Sequence, residues 1–228
     1  FIFSDSFLDN EWGIILHNFE ISGTFGFNVV NNEFSASPKF AEAGEIVLPT
    51  VFMPPLYFYY IYLLKILTNN FLNIVYLVIF SQIIVSTVSI YIFHKILKNF
   101  GQDEVSALFL TAIFALFPIN IYASLQISSV TLQLFLTILF FFFLITYSRK
   151  QEIKYLFFFS IVSGLLILIR GEFLIFYFFK VFYFFVFFKK NLTKLCLSLF
   201  ITILVISPYL NRNYQQFDTL VLTKSFGY

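Results

Sequence analysis

Charged side chains are scarce in this chain, so the few that could do chemistry stand out. Asp9, Glu11, Arg170, Glu172, Arg212 and Asn213 all fall near the ends of apolar segments. A carboxylate such as Asp9 or Glu11 can take a proton from an acceptor hydroxyl. A guanidinium such as Arg170 or Arg212 can hold a phosphate through parallel N–H donors. The combination fits transfer of a group from a phosphate-linked lipid. The plainer alternative is a set of solvated surface charges. Against it stands Arg170-Gly171-Glu172, which ends one apolar segment and begins the next with no loop around it.

Other candidates carry less. His17 and Glu20 are spaced i, i+3 and can face one way on a helix, but no partner ligands accompany them, so a divalent metal has no clear ligand set. Cys196 is the single cysteine and cannot form an internal disulfide. Lys180 falls inside an apolar run, where a charge marks either function or a partner helix.

The elements that must position these groups are set by composition. Of 228 residues, 60% are hydrophobic and 11% charged, and mean hydropathy is +0.88. A soluble domain cannot hide that much apolar surface, whereas a bilayer accepts it if the backbone satisfies its own hydrogen bonds. The apolar runs are continuous and close to the length of a spanning helix, not alternating strands. This predicts an all-α, polytopic transmembrane helix bundle. A net charge of +2 without a basic, aromatic-laced patch gives no sign of nucleic acid binding.

Residues 1–53 are the polar stretch, with Asp5, Asp9, Glu11, Glu20, Glu33, Glu42 and Glu45 against Lys39. Within it Trp12, Ile15, Leu16 and Phe19 recur at i, i+3, i+4, i+7, a helical stripe ending near Gly23 and too short to span. Pro54-Pro55 opens a second short helix within 54–70, interfacial in character because of Tyr57, Tyr59, Tyr60 and Tyr62. Residues 71–211 then offer about six spans, near 71–93, 104–124, 128–147, 154–169, 171–188 and 193–211, and 212–228 begin a further outer segment. The fourth and fifth abut at Arg170, which requires a tight turn there.

Orientation follows from the basic residues. Lys95, Lys98, Arg149, Lys150, Lys154, Lys189, Lys190 and Lys194 crowd three short connections, which the positive-inside rule assigns to the cytoplasm. The acidic loop, Arg170 and Arg212 then share the outer side. The sequon Asn191-Leu192-Thr193 falls inside and is accidental.

The order of these features resembles the GT-C superfamily of membrane glycosyltransferases, nearest to the bacterial protein O-mannosyltransferase and aminoarabinose transferase group. The resemblance is carried by Met53-Pro54-Pro55-Leu56-Tyr57, by Leu116-Phe117-Pro118-Ile119, by Gly164-Leu165-Leu166-Ile167-Leu168-Ile169-Arg170, and by Ser207-Pro208-Tyr209-Leu210-Asn211-Arg212-Asn213-Tyr214, where Tyr209 replaces a tryptophan. It implies a polyprenyl-phosphate sugar donor, a lipid, glycan or protein acceptor, and a multi-pass protein of the bacterial inner membrane working on its periplasmic face. It also implies a fragment that lacks a preceding membrane helix, since the chain begins at Phe1.

The resemblance makes Asp9 or Glu11 the catalytic carboxylate, with Asp9 favoured at the N-cap end of the stripe, and makes Arg170, Glu172, Arg212, Asn213 and Tyr57 substrate-binding. One departure is plain. Ser128-Ser129-Val130-Thr131 holds no acid where such enzymes often have one. The rival readings are a multi-pass transporter or flippase and a non-catalytic membrane subunit.

Overall fold

The computed structural model describes residues 11–28, 47–51, 55–68, 71–187 and 192–222. It is mostly helical and divides into two compact units, residues 1–78 with 212–228, and residues 79–211. Among the described residues three helices are long and apolar enough to cross a membrane, or four if one bent pair counts as a single span. The chain is a multi-pass membrane protein.

The first unit contains α1 (Glu11–Ser22), β1 (Gly26–Asn28), β2 (Val47–Pro49) and α2 (Pro55–Ile66). The stripe foreseen on α1 is its packing face. Trp12 meets Tyr57 of α2 edge-on at 4.7 Å, and Phe19 meets Phe58 and Tyr62 at 5.1 and 5.2 Å. Burial goes beyond the stripe to Ile14, while Glu20, Ile21 and Ser22 at the end of α1 are exposed. Glu20 of α1 forms an ion pair with Lys65 of α2. Gly23 ends α1 with φ +69, the left-handed conformation in which glycine avoids a Cβ clash. Strands β1 and β2 pair antiparallel, Gly26 opposite Pro49. A Cβ on Gly26 would run into the Leu48 carbonyl, so this close pairing requires glycine.

The long helix α3 (Phe71–Asn99) follows, and from residue 79 it belongs to the second unit. The turn after it carries Asp103, whose carboxylate accepts the Ser106 N–H at 3.0 Å and caps α4 (Glu104–Ala115). The expected span 104–124 is two helices, α4 and α5 (Pro118–Ser124), bent by 54°. Pro118 explains the break. It holds Phe117 in an extended conformation and fits the first turn of a new helix. The Asn120 amide donates to the Phe114 carbonyl at 3.1 Å, supplying a bond at the break.

Helices α6 (Val130–Lys150) and α7 (Ile153–Ile169) pack along each other, joined by Gln151 in the left-handed region. Helix α8 (Leu174–Phe187) follows a 3-10 turn at Gly171–Phe173. The tight turn expected at Arg170 is therefore present, with Arg170 extended at φ −158. At about 1.5 Å per residue, α7 reaches roughly 25 Å, short of the ~30 Å hydrocarbon core. Rings of Phe140, Phe159 and Phe176 join α6, α7 and α8 at 4.7–5.4 Å.

Helix α9 (Leu192–Phe217) runs past Asn211, where the last span was expected to end, and continues through Pro208. Proline lacks the N–H that would bond the Leu204 carbonyl. The Ser207 hydroxyl donates to that carbonyl instead, at 2.8 Å. Against α7, Ser160 and Ser198 hydroxyls meet at 2.6 Å, and Thr202 donates to the Ser160 carbonyl at 3.0 Å. One turn on, a Cβ added at Gly164 would lie 2.8 Å from Val205.

Two predictions follow from this packing. Gly164→Val, which forces α7 from α9, is expected to cost about 1–3 kcal/mol, the usual penalty of overpacking, read as a lower unfolding midpoint in detergent; Leu165→Val should be nearly neutral by comparison. Ser106, first through its side chain and then through its backbone N–H, holds the Asp103 carboxyl below its ordinary value of 3.8. The cap's contribution is thus complete above that value and lost as pH falls through the lower folded pKa. Asp103→Asn should retain the cap and remove this acid-side loss, measured by acid titration of stability.

Candidate functional site

Of the residues singled out in the sequence, Glu11, Tyr57, Arg212 and Asn213 belong to the first unit. Glu11 opens α1, while Asp9 lies outside the described residues, as does the side chain of Glu11. Trp12, next to Glu11, is buried against Tyr57, which is fully buried and stacked on Tyr60 at 5.7 Å. Tyr57 thus touches the start of α1 from below and has no exposed surface of its own.

Arg212 and Asn213 stand on α9 and reach the ends of the two-stranded sheet. One Arg212 terminal nitrogen, Nη1, donates to the Thr50 carbonyl and to the Asn213 side-chain oxygen, both at 2.9 Å. The other, Nη2, donates to the Phe25 carbonyl at 2.9 Å. Phe25 immediately precedes β1 and Thr50 immediately follows β2, and the Thr50 N–H also donates to Phe25 O at 3.0 Å. The guanidinium therefore clasps the points where the chain enters β1 and leaves β2. Its carbon sits 5.3 Å from the centre of the Phe25 ring, a cation–π contact. Asn213 is buried and donates to the Val221 carbonyl at 2.6 Å, folding the chain after α9 back on itself.

This clasp was not foreseen. Arginine in a sequence signals an anion, whereas the partners described for Arg212 include two backbone carbonyls and the Asn213 side-chain oxygen.

Arg170 and Glu172 lie in the second unit. Both are exposed, and their charged groups approach to 3.9 Å, the outer edge of an ion pair. Such a pair contributes little to stability. In the acid-free stretch Ser128–Thr131, Ser128 offers its carbonyl to the Gln82 amide at 3.2 Å, and the buried Thr131 hydroxyl has no hydrogen-bond partner among the described residues. No group of three His, Cys, Asp or Glu suited to a metal occurs among the described residues. His17 is half-buried on α1, and Glu20 is turned to Lys65. The side chain of Lys180 lies outside the described residues. At the opposite pole of the chemistry, His94 approaches Thr111 at 3.3 Å, and Lys98 pairs with Glu104 at 2.7 Å.

No family model, curated protein or solved structure matches the chain.

The clasp gives a direct prediction. Arg212→Lys keeps the charge but loses the fork that reaches both carbonyls. It is expected to cost roughly 1–3 kcal/mol, the scale of a charge-assisted hydrogen bond lost in a partly buried place. Hydrogen exchange of the Thr50 amide should accelerate at the same time. Unchanged Thr50 protection in the variant would show that the clasp does not hold the sheet ends.

Proposed function

We propose that the chain is the membrane-embedded part of a GT-C-type glycosyltransferase that moves a sugar from a polyprenyl-phosphate donor to an envelope lipid, glycan or protein on the outer face of the membrane. The observation that carries this reading lies in the first unit. In the sequence Asp9 and Glu11 stand at the start of α1, whose Trp12 packs on Tyr57. The same unit holds a guanidinium whose direction is set by hydrogen bonds to the Thr50 and Phe25 carbonyls and the Asn213 side chain. A base and an oriented positive charge are what sugar transfer from a phosphate needs.

In this reading Asp9, or Glu11 in its place, takes the proton of the acceptor hydroxyl as the oxygen attacks the anomeric carbon. The bond from that carbon to the phosphate oxygen breaks, and the polyprenyl phosphate leaves with the electron pair. The charge on Arg212 favours that departure, and Asn213 holds the arginine in register. A GT-C-like bundle of about six helices counts α8 as a span, and α7 in spite of its length. Arg170 and Glu172 belong to the other unit, and the reaction is argued without them.

One observation favours a transporter instead. The 54° break between α4 and α5 is a discontinuous helix, and beside it lies a cavity of about 130 Å³ with Ser86, Thr87, Asn120 and Ser124 in its wall. Broken helices with polar linings are how transporters build sites within the bilayer.

Deleting the full-length gene and profiling envelope lipids and glycans by mass spectrometry separates the two. The expected outcome is loss of one sugar, restored by the wild-type gene. The Asp9→Asn, Glu11→Gln double variant should lower its formation by about 10²–10⁴-fold, the usual worth of a general base. Full restoration by that double variant would remove the carboxylates from the reaction. No change in any glycoconjugate would favour the transporter.

A further inference from the structure

Helices α7 and α9 enclose a feature that sugar transfer does not use. Their contacts fix a parallel arrangement. Ser160 meets Ser198 and Thr202, at sequence separations of 38 and 42 residues, and Gly164 meets Val205 further along both helices. Both helices therefore start at the same end. Small side chains let them approach at Ser160 and Gly164. Towards their N-termini the facing residues are large, and the helices bound an apolar groove of about 550 Å³. That volume falls within the range of about 300–1,000 Å³ common for small-molecule sites. Phe157 and Phe158 line one wall, and Leu197, Phe200 and Ile201 the other. All but Ile201 are exposed.

The mouth of this groove is basic. Lys154 lines it directly. The register that pairs Ser160 with Ser198 and Thr202 brings Lys154 level with Lys194; Lys154 stands in the lining between Ile153 and Phe157, and Lys194 one helical turn before Leu197. Lys150 completes the group from the end of α6. Its ammonium and that of Lys154 both lie over the Tyr155 ring, at 5.5 and 5.0 Å from its centre. Arg149 is exposed beside them. The acidic group facing this cluster among the described residues is Glu152, bonded to Lys154 at 2.6 Å. One carboxylate among four cations leaves the mouth positive.

We infer that this groove binds an anionic phospholipid, its phosphate between Lys154 and Lys194 and an acyl chain along Phe157, Leu197 and Phe200. Basic pockets between membrane helices bind anionic headgroups by this combination of charge and apolar lining. A zwitterionic lipid satisfies the apolar wall but gains nothing net from the lysines. This inference is independent of the transferase reading.

The test uses the full chain in phosphatidylcholine nanodiscs, with a photoactivatable phosphatidylglycerol or a phosphatidylcholine carrying the same group on its acyl chain. Crosslinked residues are mapped by mass spectrometry. Phosphatidylglycerol is expected to label the Phe157–Phe158 and Leu197–Ile201 peptides preferentially. At about fivefold per lysine, Lys154→Gln should lower that labelling about fivefold and the Lys154→Gln, Lys194→Gln pair roughly 25-fold. The pair Lys154→Arg, Lys194→Arg should retain it, which separates loss of charge from misfolding. Equal labelling by both lipids would reduce the groove to ordinary lipid contact and overturn the inference. So would labelling that survives the double glutamine variant. Absence of label from either lipid would also overturn it, because another protein segment or a second copy of the chain would then fill the groove.

Discussion

Lipid offers no hydrogen bonds, so each backbone carbonyl that a helix break releases must find a donor within the chain. The structure of the spans depends on this constraint. Inside helices it is met by the regular i to i−4 pattern, and the interesting places are those where the pattern fails. At Pro208 the Ser207 hydroxyl takes over the bond that proline cannot make, and α9 continues to Phe217. At the α4–α5 break the Asn120 amide reaches the Phe114 carbonyl. In one case a hydroxyl preserves a straight path and in the other an amide accommodates a bend. The difference follows from the residue before each proline. Ser207 stays helical because its side chain serves the orphaned carbonyl, while Phe117, with no polar atom, adopts the extended conformation that proline favours in its predecessor.

The first unit solves a related problem at its sheet. Two strands of three residues cannot hold themselves together, since an isolated hairpin is marginal even when longer. Arg212 adds bonds that do not belong to the ladder, joining Phe25 O and Thr50 O across sequence separations of 187 and 162 residues. Without the continued helix at Pro208, residue 212 would not be presented on a helical face at all. The serine that repairs one carbonyl is thus a precondition for the arginine that organises two others.

The sequence carried much of this and lacked the rest for definite reasons. Hydropathy located the apolar runs, because burial of apolar area dominates segment choice in a bilayer. The turn at Arg170 was legible because two apolar runs met with nothing between them. The stripe Trp12, Ile15, Leu16 and Phe19 was legible from its period. Helix length was not, since apolar composition continues across the 3-10 turn at Gly171–Phe173 and hides that α7 is short. The clasp was illegible for a different reason. Its acceptors are backbone carbonyls, which every residue has, so no residue type at position 25 or 50 announces them. An arginine that meets carbonyls and one that meets phosphate read alike in a sequence.

Phenylalanine is abundant, with 37 in the chain, yet rings alone do not choose a register. Aromatic contacts tolerate many offsets, and those joining α6, α7 and α8 range from stacked through tilted to edge-on geometries. Hydroxyls and glycine are less forgiving. The Ser160–Ser198 bond and the space at Gly164 are met at one relative position of α7 and α9 and lost on sliding by a turn. In lipid, where there is no hydrophobic drive to bring helices together, such close small-residue contacts and interhelical hydrogen bonds decide the packing. Once they fix the register, the larger residues before them have no choice of partner. Phe157, Phe158 and Phe200 must keep the helices apart where Ser160 and Gly164 have drawn them together. The groove is the geometric consequence of that sequence of sizes, small residues at one level and aromatic ones at the level of the lysines.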